Sequence, residues 1–167
     1  MPLPPAPSMI VGYFAAEKSE SVLFVAAGAL AVAASIWLWA GASAHRGMAF
    51  PLAAVALIQL AVGASVYLRT DGQVAALAAE LERDPAAAAG RELARMERVN
   101  ANFQIYKYVE IALLAGGIAL SFAAGRRELW FGVACGLIAQ ASLMLLFDLF
   151  AERRAALYVE ALRRLGA

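Results

Sequence analysis

Four blocks of apolar sequence, separated by charged stretches, dominate the hydropathy pattern of this chain. A helix needs about 20 consecutive apolar residues to cross a bilayer, and each block reaches or approaches that length. The predicted spans lie at residues 21–41, 49–68, 108–124 and 129–150. This pattern predicts an all-α integral membrane protein, an antiparallel four-span helical bundle that is prolonged by helical extensions into the cytoplasm.

The charged stretch between the second and third spans, residues 72–106, has the periodicity of a helical hairpin. Asp84-Pro85 divides it into two arms, because aspartate caps a helix N-terminus and proline fits the first helical turn. Apolar residues recur at helical spacing in each arm. They are Val74, Leu77, Ala78 and Leu81 in the first arm and Leu93, Met96, Val99, Phe103 and Tyr106 in the second. We expect the two arms to pack together outside the membrane.

Both ends of the chain carry helical patterns of their own. Residues 1–20 predict a Pro-rich tail, disordered over its first seven residues, and then an amphipathic lead-in helix. Residues 151–167 predict a charged C-terminal helix with Tyr158, Leu162 and Leu165 on one stripe, which we expect to pack against the hairpin. Because no basic segment and no cleavage site precede the first span, we expect no cleaved signal peptide.

Basic residues are distributed unequally between the two sides of the predicted bundle. Of the 14 Lys and Arg residues, three (Arg46, Arg126 and Arg127) lie in the short turns between spans, and the other eleven lie on the side of the hairpin and the termini. Cytoplasmic segments carry the excess of positive charge in membrane proteins. We therefore expect both termini to be cytoplasmic, in a multi-pass protein of a bacterial-type inner (plasma) membrane.

The composition agrees with the predicted spans and limits the kinds of ligand and chemistry that we expect. Hydrophobic residues make up 63% of the chain and charged residues 16%, against about 45–50% and about 25% in soluble domains. The net charge of +1 gives no field that would attract nucleic acid. Cys135 is the single cysteine, which excludes an intrachain disulfide. His45 is the single histidine and lies on the side opposite the acidic residues, so we expect no metal and no cofactor.

Ionisable residues gather at the cytoplasmic ends of the four spans. This polar layer consists of Glu17, Glu20, Arg69, Asp71, Lys107, Glu110, Asp148 and Glu152. Glu110 and Asp148 lie deepest, where an unpaired carboxylate costs a few kcal/mol. One interpretation is a site for a cation, a proton or a lipid headgroup. We favour the other, a salt-bridge layer in which Lys107 neutralises Glu110 and Arg69 reaches Asp148.

Gln59 and Gln140 are the strongly polar side chains midway along the spans. We expect them to form an interhelical hydrogen bond, either with each other or with a serine of the spans. The serines in question are Ser65, Ser121 and Ser142. The alternative is that the two amides line a pore.

Glycine pairs at two places permit close helix approach. Gly116-Gly117 lies in the third span, and Gly132 and Gly136 form a GxxxG pair in the fourth. We expect these glycines to pack within the monomer, and a dimer contact is the alternative.

The hairpin also carries a row of arginines, Arg91, Arg95 and Arg98, which could meet anionic lipid or an acidic partner. Because Glu92 and Glu97 interleave with this row, we favour a solvated helical face.

No arrangement of residues in the sequence predicts an enzyme. A nucleophile–base pair would depend on His45, and no glycine-rich phosphate loop precedes a helix. We therefore favour a non-enzymatic membrane protein that acts through protein–protein interaction, as an accessory, assembly or immunity-type subunit. Its partners would be the lipid bilayer and another protein or a second copy of itself, not nucleic acid. The second hypothesis is a small oligomeric channel or transporter, and the third is a lipid-binding protein or membrane enzyme.

Overall fold

The structure, a computed structural model, describes residues 6–41 and 45–165. Within them the chain forms four long α-helices and one short 3-10 turn. Helix α1 is Ala6–Ala40, the turn is Arg46–Met48, α2 is Ala49–Arg83, α3 is Pro85–Ala123 and α4 is Glu128–Leu165. Each of the four is long and apolar enough to cross a membrane, which confirms the all-helical prediction. The first five residues of the expected disordered tail lie outside the described part of the chain. Ala6 and Pro7, which we also expected in the tail, belong instead to the first turn of α1.

Helix boundaries fall where the local sequence predicts them. Asp84 caps α3 by accepting a hydrogen bond from the backbone N–H of Ala87 at 3.0 Å, and Pro85 occupies the first turn. At the other end, α3 is followed by Gly125, whose φ of 55° is a left-handed conformation that glycine adopts without steric cost. In the structure, each predicted span and its charged extension form one unbroken helix.

Helix α4 lies between the other three helices. It packs along α3 over much of its length and also contacts α1, α2 and the 3-10 turn, while α1 and α2 form a second long pair. The backbones of α2 and α3 approach each other at few places, and those of α1 and α3 stay apart throughout the described residues. Helix α1 reaches α3 through head side chains such as Tyr13, which contacts Met96. Helix α3 is therefore the peripheral member of the group.

An apolar core joins all four helices at the end that contains the beginning of α1, the end of α4 and Asp84. We call this end the head, residues 6–20, 69–107 and 151–165. Its buried members are Ile10, Tyr13, Phe14, Leu77, Ala88, Met96, Ala155, Tyr158 and Leu162. The stripes predicted from the sequence thus lie inward, with two exceptions, because Ala78 and Tyr106 are exposed. Tyr106 is 55% exposed, because it lies to one side of the strip that α3 turns toward α4 and no helix packs there.

Glycines set the distances between helices away from the head. A Cβ on Gly132 would lie 3.0 Å from the Cα of Gly47, and one on Gly136 would lie 3.0 Å from the carbonyl oxygen of Met48. A Cβ on Gly117 would meet Ile138 at 3.0 Å, whereas Gly116 has no neighbouring atom within 4 Å. Three of the four glycines that we singled out therefore lie against other helices of the same chain, and Gly116 does not.

Candidate functional site

The polar layer forms because helical register brings the ionisable residues of all four helices to one level. The pairs that cross between helices define it: Lys18 with Asp71 between α1 and α2, Glu20 with Arg154 between α1 and α4, and Lys107 with Glu152 between α3 and α4. Each pair links two different helices, so the layer ties the bundle together at the base of the head.

Partners within this layer differ from the ones we expected. Lys107 pairs with Glu152 rather than with Glu110, and Arg69 approaches Glu17 at 4.0 Å rather than Asp148. The rotation of each helix about its own axis explains the difference. Helix α2 turns this part of its surface toward α1, and Glu152 reaches Lys107 directly from the facing helix. The expected Lys107–Glu110 and Arg69–Asp148 pairs were wrong.

Glu110 and Asp148 face each other between α3 and α4. The register follows from contacts on either side of them, with Lys107 against Glu152 on one side and Gly117 against Ile138 on the other. The Asp148 carboxyl group lies near enough to act electrostatically on Glu110. Glu110 is only 5% exposed, and its Oε2 atom is buried without a hydrogen-bond partner in the described structure, as is Oδ2 of Asp148. These are the two carboxyl groups that we expected deepest in the spans.

The head contains a second polar cluster, which sequence reasoning missed. Tyr158 donates a hydrogen bond from its hydroxyl to Oε1 of Glu92 at 2.8 Å. Arg95 donates from Nη2 to the same oxygen at 2.7 Å and from Nε to Oε2 at 2.8 Å. Burial and the Glu92 carboxylate both raise the pKa of Tyr158, so its hydroxyl remains a donor. The signal was available in the spacing: Glu92 precedes Met96 by one helical turn and shares its stripe.

Glu17 lies at the edge of this head cluster. Burial raises the pKa of its carboxyl group above the ordinary value, and the nearby guanidinium groups of Arg69, Arg95 and Arg154 offset only part of that effect. Its Oε2 atom is buried and has no hydrogen-bond partner in the described residues. Glu17 is therefore an ionisable group whose charged form is poorly accommodated by the fold.

The arginine row borders a cleft of about 260 Å³ between α2 and α3. Arg91 pairs with Glu80 across the cleft, and Arg95 pairs with Glu92. Arg98 donates to the backbone carbonyl of Ala94 in its own helix. Carboxylates thus neutralise most of the positive charge in the cleft. The solvated face that we favoured for this row holds for Arg91 and Arg98, which are exposed, but was wrong for Glu92, which is buried.

Gln59 and Gln140 are buried but do not meet. Gln59 donates from Nε2 to the sulfur of Met144 at 3.5 Å, and Gln140 donates from Nε2 to the backbone carbonyl of Leu52 at 3.4 Å. Both contacts run between α2 and α4, so the amides do join helices, although through other partners than we expected. Among the described residues, no group of three His, Cys, Asp or Glu side chains is placed to hold a metal ion.

The outer face of α3 is uncovered along the predicted third span. The residues turned toward α4 form a narrow strip there, and the residues on the other sides are exposed. The exposed set includes small residues spaced about one turn apart, which are Ala112, Ala115, Gly116, Ala119 and Ala123. Because the backbone of α1 stays away from α3, no other helix of the described chain packs on this face.

Comparisons of the chain with protein-family models, with curated proteins and with solved structures give no match.

Proposed function

We propose that the four helices form an antiparallel bundle in a bacterial-type inner membrane, with the head in the cytoplasm. The predicted spans 21–41, 49–68, 108–124 and 129–150 lie within helices that have the required length and hydropathy. The positive-inside bias favours a cytoplasmic head, because eleven basic residues belong to that end. Trp37, Trp39 and Trp130 lie at the opposite ends of their spans, where amphipathic aromatic rings favour the membrane interface.

We propose further that the protein is a non-enzymatic subunit that binds another membrane helix on the outer face of α3. The observation that carries this proposal is the peripheral position of α3, which packs along α4 and leaves its small residues uncovered. Small residues let two helix backbones approach closely in lipid, where van der Waals packing replaces the hydrophobic effect as the driving force for association.

The glycines of the spans support this assignment. Gly28 and Gly63 lie against the facing helix of the α1–α2 pair, and Gly117 and Gly136 lie against neighbours in the same way. Among the described glycines of the predicted spans, Gly116 is the one at which an added Cβ would have no atom within 4 Å. A second helix packed on this face would approach α3 closely at Gly116, as neighbouring helices of the monomer do at the other glycines.

The channel hypothesis has less support from the geometry. Gln59 and Gln140 are packed between α2 and α4 with their donors committed to neighbours, whereas a conduction path needs polar groups directed into an open pathway at several depths. The lipid-binding and enzyme hypotheses rest on the polar layer, whose crossing ion pairs already serve to join the helices.

Site-specific photocrosslinking in cells tests the proposal. A photoreactive residue at Ala112 or Ala119 should give a discrete protein adduct, and the same residue at Leu30, an exposed position of α1, should give none. Adding Gly116→Ile should abolish the adduct, because a branched side chain prevents close helix approach. The matched variant Ala33→Ile, at an exposed small residue of α1, should leave it intact.

The mass of the adduct identifies the partner. An adduct to a different polypeptide supports an accessory or assembly role, and an adduct of twice the chain mass identifies a second copy of this chain as the partner. Equal, diffuse labelling from Ala112 and Leu30, with no effect of Gly116→Ile, would show that α3 faces lipid alone and would refute the proposal.

A further inference from the structure

The charges around Glu110 and Asp148 do not balance. The charged groups that act on these two carboxyls are Lys107 of α3 and Glu152 of α4. Lys107 is paired with Glu152, so the ammonium group and one carboxylate neutralise each other. On α1, Glu20 of the same polar layer is paired with Arg154. The two deeper carboxyls are left without a counter-charge of their own.

Their hydrogen bonding is incomplete as well. Oε2 of Glu110 and Oδ2 of Asp148 are both removed from solvent and accept no hydrogen bond from the described residues. Buried polar atoms in folded proteins are almost always satisfied, and an exception marks a strained site, an ion or a ligand. Two such atoms at one level of two facing helices point to one shared occupant.

We propose that Glu110 and Asp148 together bind one small monovalent cation, a proton or a sodium ion, between α3 and α4. Either ion neutralises one of the two carboxylate charges, and Lys107 is the positive group that acts on the other. A proton would be held in a hydrogen bond from one carboxyl group to the other, and a sodium ion would be coordinated by carboxylate oxygens, which are hard ligands suited to such an ion. The site lies where α3 and α4 enter the proposed membrane, next to the Lys107–Glu152 pair.

This inference does not depend on the outer face of α3. Glu110 lies on the inner strip of that helix together with Gly117, whereas Gly116 belongs to the outer face. Cation binding and partner binding therefore involve opposite sides of α3, and either can fail without the other.

The test uses dicyclohexylcarbodiimide, an apolar reagent that adds to protonated carboxyl groups in apolar surroundings. The purified full chain is treated in detergent across a range of pH, and the modified residue is identified by mass spectrometry of peptides. We expect one adduct per chain, on Glu110 or Asp148. For a protonated site, the labelling rate falls about tenfold for each pH unit once the site has titrated.

Sodium chloride and choline chloride at equal ionic strength distinguish the two ions. Slower labelling in sodium at constant pH means that sodium competes for the site, and equal labelling in both salts means that the ion is a proton. Glu110→Gln and Asp148→Asn should each abolish the adduct on the pair, and the control Glu160→Gln, at a half-exposed carboxyl of the head, should not change it.

Labelling of the wild-type chain decides the question even where a variant folds poorly. Absence of any adduct on Glu110 and Asp148 from mildly acidic to mildly alkaline pH, in either salt, would overturn the proposal. Labelling of exposed Glu128 and Glu160 at the same rate as the pair would overturn it too, because the reagent would then be reporting accessibility and not a bound cation.

Discussion

The rings of Tyr13 and Tyr158 stack with their centroids 4.0 Å apart and their planes 9° from parallel. This contact joins the beginning of the first helix to the end of the last, across 145 positions of sequence. Tyr158 is also the donor to Glu92 of α3, and Phe14 packs edge-on against both rings. The head is therefore held by one aromatic cluster from α1 and α4, which a hydrogen bond joins to α3.

The Tyr158 hydroxyl should contribute measurably to stability. Tyr158→Phe keeps the stacked ring but removes the hydrogen bond to the Glu92 carboxylate, a type of bond that contributes about 1.5–3 kcal/mol. Tyr13→Phe removes a weaker contact, from the hydroxyl to the sulfur of Met96 at 3.7 Å, so it should cost less. Thermal unfolding of the purified variants in detergent measures both. Equal melting temperatures for the two variants would contradict the role given to Glu92.

Glu17 should make stability depend on pH in a defined direction. Because burial raises the pKa of Glu17 above the ordinary value of 4.5, the folded protein binds this proton more tightly than the unfolded chain does. The stability contributed by the protonated carboxyl is complete below that ordinary value and is lost as pH rises through the folded-state pKa.

Glu17→Gln should therefore raise the melting temperature at neutral pH, and the gain should disappear as pH falls below about 4.5. The control is Glu160→Gln, which removes a half-exposed carboxyl paired with Arg164 on the head surface. Such pairs contribute about 0–1 kcal/mol, so the control should change little. A gain from Glu17→Gln that is constant across pH would refute the assignment.

Adjacent glycines of α3 should respond in opposite ways to the same substitution. Gly117→Ala places a methyl group 3.0 Å from Ile138 and 3.2 Å from the carbonyl oxygen of Ala134, and overpacking of this kind costs about 1–3 kcal/mol. Gly116→Ala meets nothing and gains up to about 1 kcal/mol of helix propensity. Thermal unfolding of the monomeric, purified protein should show a lower melting temperature for Gly117→Ala than for Gly116→Ala. The reverse order would mean that α3 is rotated about its axis.

The orientation in the membrane can be tested by cysteine labelling. Ala86 and Arg126 are both exposed and lie at opposite ends of α3, so each is replaced by cysteine in a Cys135→Ala background. A membrane-impermeant maleimide added to intact cells should label the cysteine at position 126, and the one at position 86 only after lysis. Labelling at position 86 from outside would invert the proposed topology.

The sequence predicted the face of a helix well in the head and poorly in the spans. A helix in water must hide its apolar stripe, so the positions of Met96, Tyr158 and Leu162 in the core could be read directly. A span in lipid is apolar on every side, and its hydropathy does not say which side meets a neighbour. Hydropathy therefore could not predict the central position of α4 or the peripheral position of α3.

The polar layer was likewise predictable in one respect and not in another. Distance along a helix fixes the level of a residue, so the gathering of Glu110, Asp148 and Lys107 in one layer could be predicted. Partners within the layer depend on the rotation of each helix about its own axis, and this is why Lys107 meets Glu152 instead of Glu110. Glu92 was missed because a single carboxylate beside arginines is typical of a solvated surface.

The Tyr13–Tyr158 contact has a consequence for the order in which the protein is made. Tyr13 and Phe14 leave the ribosome early, whereas Tyr158 and Leu162, which cover them, follow roughly 150 residues later. At about 5–20 residues per second, synthesis leaves the aromatic face of α1 uncovered for roughly 10–30 s. During that interval the growing chain exposes an apolar surface, which is a natural target for chaperones and proteases. If a ribosome stalls before position 158, Tyr13 of the released chain stays uncovered, and we expect that chain to be degraded.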